Sequence, residues 1–150
     1  MDQVLVFTVA NPTFKYFLAH SAVLITKTLS VALATGLNRA YLNEEDAKAT
    51  VFGAHDGKPR STPTIDRLIR MHRNDLENII PFLLTALLYI ATKPDPDIAL
   101  WHFRLFTGSR LLHSVVYFFA LPTNARASCW FTGVGVTLSM AYRVFCNGAL

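Results

Sequence analysis

The sequence predicts an all-α integral membrane protein, a four-helix bundle of up-down topology that takes in all 150 residues as one domain. Three observations predict it. The chain is 52% hydrophobic and only 16% charged, where soluble domains carry about 25% charged residues. Its apolar residues gather into four long blocks, and its mean hydropathy is +0.33. Two of the three connections between blocks are short and punctuated by proline, which makes neighbouring helices antiparallel.

The first block runs from Phe14 to Leu37, interrupted by Lys15, His20 and Lys27. A spanning helix needs about 20 residues, so a helix over 14–38 has the length to cross. The second block, Ile79 to Thr92, is short. Helix running back through Glu77 towards Arg70 makes up the distance, giving a helix over 65–92. Thr64 is the expected N-cap there, with Asp66 favouring the positive end of the helix dipole. The third block, Ile98 to Leu121, carries His102, Arg104, Arg110 and His113 and predicts a helix over 98–121. The fourth, Ala127 to Tyr142, reaches spanning length with Arg143 snorkelling to the interface, as a helix over 127–146. KPDPD and LPTNARAS are tight turns, whereas residues 39–64 form the one long connection, without sustained periodicity.

Seven Lys or Arg residues lie between Asn38 and Arg73, while the connection around ATKPDPDI holds only Lys93. The positive-inside rule therefore places the first loop in the cytosol, both termini on the opposite side, and Arg126 back on the cytosolic side. MDQVLVFTVANP lacks the basic stretch of a cleavable signal. The net charge of +4 comes without a basic cluster or nucleic-acid motif, so it reads as topology and attraction to lipid headgroups. Cys129 and Cys146 sit about 25 Å apart along the fourth helix, too far to pair within one chain. No metal ligation is expected.

RMHRNDLENIIPF then poses a question, because it sets charges directly against a 14-residue uncharged run. On a helical projection Arg70, Arg73, Asn74 and Glu77 fall within an arc of about 100°, with His72 and Asp75 pointing elsewhere. Two guanidinium groups, an amide and a carboxylate suit a ligand bearing carboxylates and an ammonium group. The same face also reads as a helix end laced with intrahelical pairs such as Arg73 with Glu77. Pro81 removes the donor to the carbonyl of Glu77 and opens that turn.

In the third helix Arg110, His113 and Tyr117 form one stripe, with Arg104 on another face. Ionisable groups inside a membrane usually face a cavity or a partner. The stripe is either part of a site or a polar seam satisfied by Glu77 or Asp75. Lys27 reads as a structural pairing or a snorkelling group, and Arg39 and Arg126 by themselves as cytosolic anchors.

RMHRNDLENIIPF, PDPDIALWHFRLFTGSRLLHSVVY, GVTLSMAYR and NEEDA together resemble the membrane-associated proteins of eicosanoid and glutathione metabolism, most closely the microsomal glutathione S-transferase branch. The resemblance covers nearly the whole chain. It implies a homotrimer in the endoplasmic reticulum and outer mitochondrial membranes, with sites at subunit interfaces near the cytosolic face that bind reduced glutathione; with the charge bias above, the termini are then lumenal. By position, Arg70, Arg73, Asn74, Glu77, His113 and Tyr117 match glutathione-binding residues, and Arg110 a further polar position. Arg39 matches a residue given by the neighbouring subunit, and Arg126 the arginine beside the glutathione sulfur. The implied reaction is glutathione conjugation to hydrophobic electrophiles arriving from the bilayer, with peroxidase activity on lipid hydroperoxides beside it.

Two departures bear on the alternatives. The microsomal prostaglandin E synthase branch carries serine and tyrosine where this chain has Ala127 and Trp130, which argues against prostaglandin isomerisation, although Asp46 keeps that branch's acidic residue. The transferase branch often has an activating cysteine where this chain has Ala47, so activation through that thiol is not expected. A non-catalytic lipid-binding partner is the remaining alternative, and it would predict erosion of glutathione residues that are present here.

Overall fold

Among the described residues every helix begins at a proline or directly after one, because proline's fixed φ and missing N–H suit the first turn. A computed structural model describes residues 5–42 and 62–147. Its elements are α1 (Pro12–Leu42), α2 (Pro63–Ala91), α3 (Pro96–Phe118) and α4 (Thr123–Asn147), and no strand occurs among the described residues. Asn11 caps α1, its side-chain oxygen accepting from the Thr13 N–H at 3.0 Å. Thr62 caps α2, accepting from the Ile65 N–H at 3.3 Å, so the N-cap lies two residues before the expected Thr64. The pair Thr62–Pro63 explains the shift: threonine supplies the acceptor and proline occupies the first helical position. Asp95 and Pro96 repeat the device at α3.

The turns after α2 and α3 close with Lys93 (φ 52°) and Ala120 (φ 53°) in the left-handed conformation that ends helices. Pro81 lies inside α2 without ending it. The fourth helix departs from expectation, starting at Thr123 instead of 127 and taking Arg126 into its first turn. The apolar pattern marks where lipid-compatible sequence begins, but Ala125, Arg126 and Ala127 are strong helix formers and extend the helix beyond it.

α1 packs on α2 and α3, and α4 packs on the same two helices. At the centre the Phe82 ring stacks on Phe106 with centroids 3.7 Å apart, and Phe103 meets Phe82 edge-on. A smaller cluster of Val31, Leu68 and Met71 sits against Tyr117, beneath the polar groups described below. The exterior is apolar: Leu76, Ile80, Leu84 and Leu88 form an exposed stripe on α2, and Leu29, Leu33 and Leu37 do the same on α1. Arg110 and Asp75, in contrast, are fully buried. Thr28, Ser30 and Thr35 of α1 donate their hydroxyls to carbonyls four residues back, which satisfies them without solvent. By length and composition α1 is, among the described residues, the helix apolar enough to cross a membrane. The charges of α2 and α3 lower their averages.

Candidate functional site

α2 sorts its polar side chains by direction. Arg73 and Glu77 are exposed and pair with each other one turn apart, Arg73 Nε donating to Glu77 Oε1 at 2.9 Å. The intrahelical reading of that pair therefore holds. Arg70, also exposed, turns towards α3 and donates from Nε to the Tyr117 hydroxyl at 3.3 Å. Asn74, half-buried, faces inward and accepts on Oδ1 from Arg110 Nη2 at 3.1 Å. Four residues that share an arc in sequence thus divide into an outer pair, a bridge and an inner contact.

From α3, Arg110, His113 and Tyr117 rise along one stripe. The His113 and Tyr117 rings lie 5.5 Å apart. Arg126 of α4 completes the group, with its guanidinium carbon 4.9 Å from the centre of the Tyr117 ring and Nη2 donating to Thr123 Oγ1 at 2.8 Å. Tyr117 is the junction, since its hydroxyl takes Arg70 from α2 and its face takes Arg126 from α4. Such a cation over an aromatic face is worth about 0.5–2 kcal/mol and holds Arg126 in place. Arg39 stands exposed on the last turn of α1 and makes none of these contacts. Asp46 and Ala47 lie outside the described residues.

One pairing was missed in the sequence. Asp75 points away from the Arg70–Glu77 face as projected, but the direction it takes is the bundle interior, where it forms an ion pair with Lys27 of α1. The pairing expected for Lys27 is therefore present. The signal was available: a lone lysine midway along an apolar helix needs a carboxylate, and the adjacent helix offers one that faces neither solvent nor its own helix's arginines. Arg110 Nε and Nη1, Asp75 Oδ2 and His113 Nδ1 are buried without a protein hydrogen-bond partner. Two cations and one carboxylate share this interior, so its balance is positive and its free donors favour an anionic ligand group. Elsewhere His20 meets Thr107 at 3.0 Å and His102 meets Ser139 at 3.1 Å, both away from the cluster. Cys129 is buried and Cys146 exposed, and neither is in a disulfide. Among the described residues no three His, Cys, Asp or Glu side chains come together as a metal site.

Comparison with known proteins adds three findings. The sequence model of the MAPEG family matches residues 17–146. The Homo sapiens protein named microsomal glutathione S-transferase 1 is 42% identical over 139 residues, covering 89% of this chain and 90% of that one, and its Mus musculus counterpart is 39% identical over the same span. The Homo sapiens protein named prostaglandin E synthase is 34% identical over 146 residues, with 93% of each chain covered.

Proposed function

The chain belongs to the MAPEG family, and on that premise we propose that it is a membrane-bound glutathione S-transferase that conjugates reduced glutathione to hydrophobic electrophiles. The observation that carries the proposal is the convergence on Tyr117, where Arg70 and Arg126 meet on one side chain beside the Asn74–Arg110 contact. Glutathione brings two carboxylates, an ammonium group and a thiol. In this reading Arg70 and Arg73 take carboxylate, Glu77 accepts from the ammonium, and Asn74, Arg110 and His113 hold the peptide's polar groups.

Arg126 acts at the sulfur. A free thiol has a pKa of about 8.5 and is only a few per cent ionised at neutral pH. A guanidinium in the first turn of α4 adds its full charge to the partial positive charge of the helix start, and both favour the thiolate. The sulfur then attacks the electrophilic carbon, the leaving group departs with its bonding electron pair, and the thiol proton passes to solvent. With a lipid hydroperoxide the same thiolate attacks the distal oxygen and releases an alcohol. A second glutathione then displaces water from the resulting sulfenic acid to form the disulfide.

The proposal includes the setting. Four up-down spans in the endoplasmic reticulum membrane put both termini in its lumen, and the outer mitochondrial membrane is a second location. Three copies assemble so that Arg39 reaches a neighbour's site. The outward apolar stripes of α1 and α2, set against a buried Arg110 and Asp75, support a lipid-facing exterior. Lateral entry from the bilayer then brings a lipophilic electrophile to a polar site at the membrane edge.

The similarity to prostaglandin E synthase favours a second reading, isomerisation of prostaglandin H2. Against it stand Ala127, half-buried, and Trp130, exposed, where that branch has serine and tyrosine. A purely lipid-binding role has less support, because Arg70, Arg73, Asn74, Glu77, His113, Tyr117 and Arg126 are all retained. The deciding experiment gives purified protein glutathione with a chloronitrobenzene electrophile or with prostaglandin H2, using Arg126→Ala as control. Conjugation that collapses in the variant supports the transferase; isomerisation alone establishes the second reading, and silence with both substrates rejects catalysis.

A further inference from the structure

Lys27 stands fifteen residues from either end of α1, about 22 Å along the axis in each direction, beyond the reach of snorkelling. Its partner Asp75 is fully buried. Membrane bundles rarely place such a pair in the interior, since both ions lose their hydration. This pair adjoins the hydrogen bond that joins α2 to the buried arginine of α3. Asp75 follows Asn74 directly, and Arg110 holds the side chain of Asn74.

The geometry of that contact settles which way the Asn74 amide faces. A guanidinium offers only donors, so the amide presents its oxygen to Arg110 and turns its two N–H donors elsewhere. We propose that Lys27 and Asp75 are positioning residues for glutathione: the pair ties α2 to α1 one residue from Asn74 and so fixes where Asn74 stands, while Arg110 orients its amide so that it donates to the bound peptide. This rests on the reading above that Asn74 contacts glutathione. Lys27 serves by keeping Asp75 ionised and in place, and Asp75 by holding its stretch of α2 against α1. Neither residue touches the ligand.

The test uses full-length protein in lipid nanodiscs and measures glutathione affinity by calorimetry, with turnover and thermal unfolding measured in parallel. Asp75→Asn alone would strand the Lys27 charge, so the principal variant is the doubly neutral Lys27→Met/Asp75→Asn, which leaves no lone ion from the pair. It is expected to weaken glutathione binding about tenfold, the scale of one hydrogen bond to a charged group, and to raise KM with kcat changed less than about twofold. His20→Phe, which removes the α1–α3 contact to Thr107, serves as a control expected to lower the unfolding temperature without altering affinity. In an Asn74→Ala background the double neutralisation is expected to have no further effect, because its route to the ligand is already gone. Wild-type affinity in the doubly neutral protein overturns the proposal, as does a tenfold loss that persists undiminished in the Asn74→Ala background. If the wild-type protein binds no glutathione, the transferase reading fails first and this inference falls with it.

Discussion

The inner and outer faces of α2 carry the same chemistry in opposite circumstances. On the inner face Asp75 is fully buried and bound to Lys27 of α1. On the outer face, two residues on, Glu77 is exposed and bound to Arg73 of its own helix. An ion pair in the interior fixes the relation between two helices, because removing either partner strands a charge away from water. An exposed pair within one turn fixes nothing beyond its own side chains and contributes little to stability. Its groups can therefore exchange each other for a ligand. In the proposed function, the difference separates what holds the site from what would engage the substrate, so that one short segment serves both needs.

The largest effect expected from breaking this contrast is on the inner face. Asp75→Ala leaves the Lys27 charge without its partner and should destabilise the fold by about 3 kcal/mol, read as a lower thermal unfolding temperature in detergent. A change too small to detect would remove the distinction between the faces. Arg126→Ala comes next: conjugation should fall on the order of a hundredfold, the range for loss of one group that stabilises developing negative charge. Glutathione binding should persist, and the thiolate absorbance of the bound peptide should be lost.

Glu77→Ala should act on the outer face alone. Glutathione affinity is expected to drop about tenfold as the acceptor for its ammonium group disappears, with the unfolding temperature nearly unchanged. The smallest effect belongs to the Arg73–Glu77 pair as a stabilising element. A double-mutant cycle on unfolding should return a coupling of about half a kcal/mol or less, shrinking further in high salt. A coupling several times larger would place the outer pair with the structural elements and leave Glu77 a poorer ligand group.

Reading the sequence located most of the polar groups and the Arg73–Glu77 pair within one helix, but not the partners supplied by other helices. Arg110, His113 and Tyr117 share a stripe because helical periodicity is a local property, and the structure keeps that stripe. The arc from Arg70 to Glu77 was equally visible, yet its division into inner and outer contacts depends on where α3 and α1 lie. Asp75 illustrates the limit. Projection on one helix shows that it points away from the arginines, and only the packing of α1 shows that it points at Lys27. The start of α4 was misplaced for a related reason, since hydropathy reports where lipid-compatible sequence begins and helix propensity extends the helix to Thr123.

By itself, then, the sequence determined the helical class, the apolar blocks and the identity of the polar stripes, all of which follow from composition and spacing along a single helix. Only the tertiary structure decided that Tyr117 joins Arg70 to Arg126, that Arg110 grips Asn74, and that Lys27 is neutralised by Asp75. These contacts link residues 9 to 48 positions apart (126 − 117 and 75 − 27), so no local pattern encodes them. They form because burying a charge or an amide in an apolar bundle is unfavourable until a partner from another helix meets it.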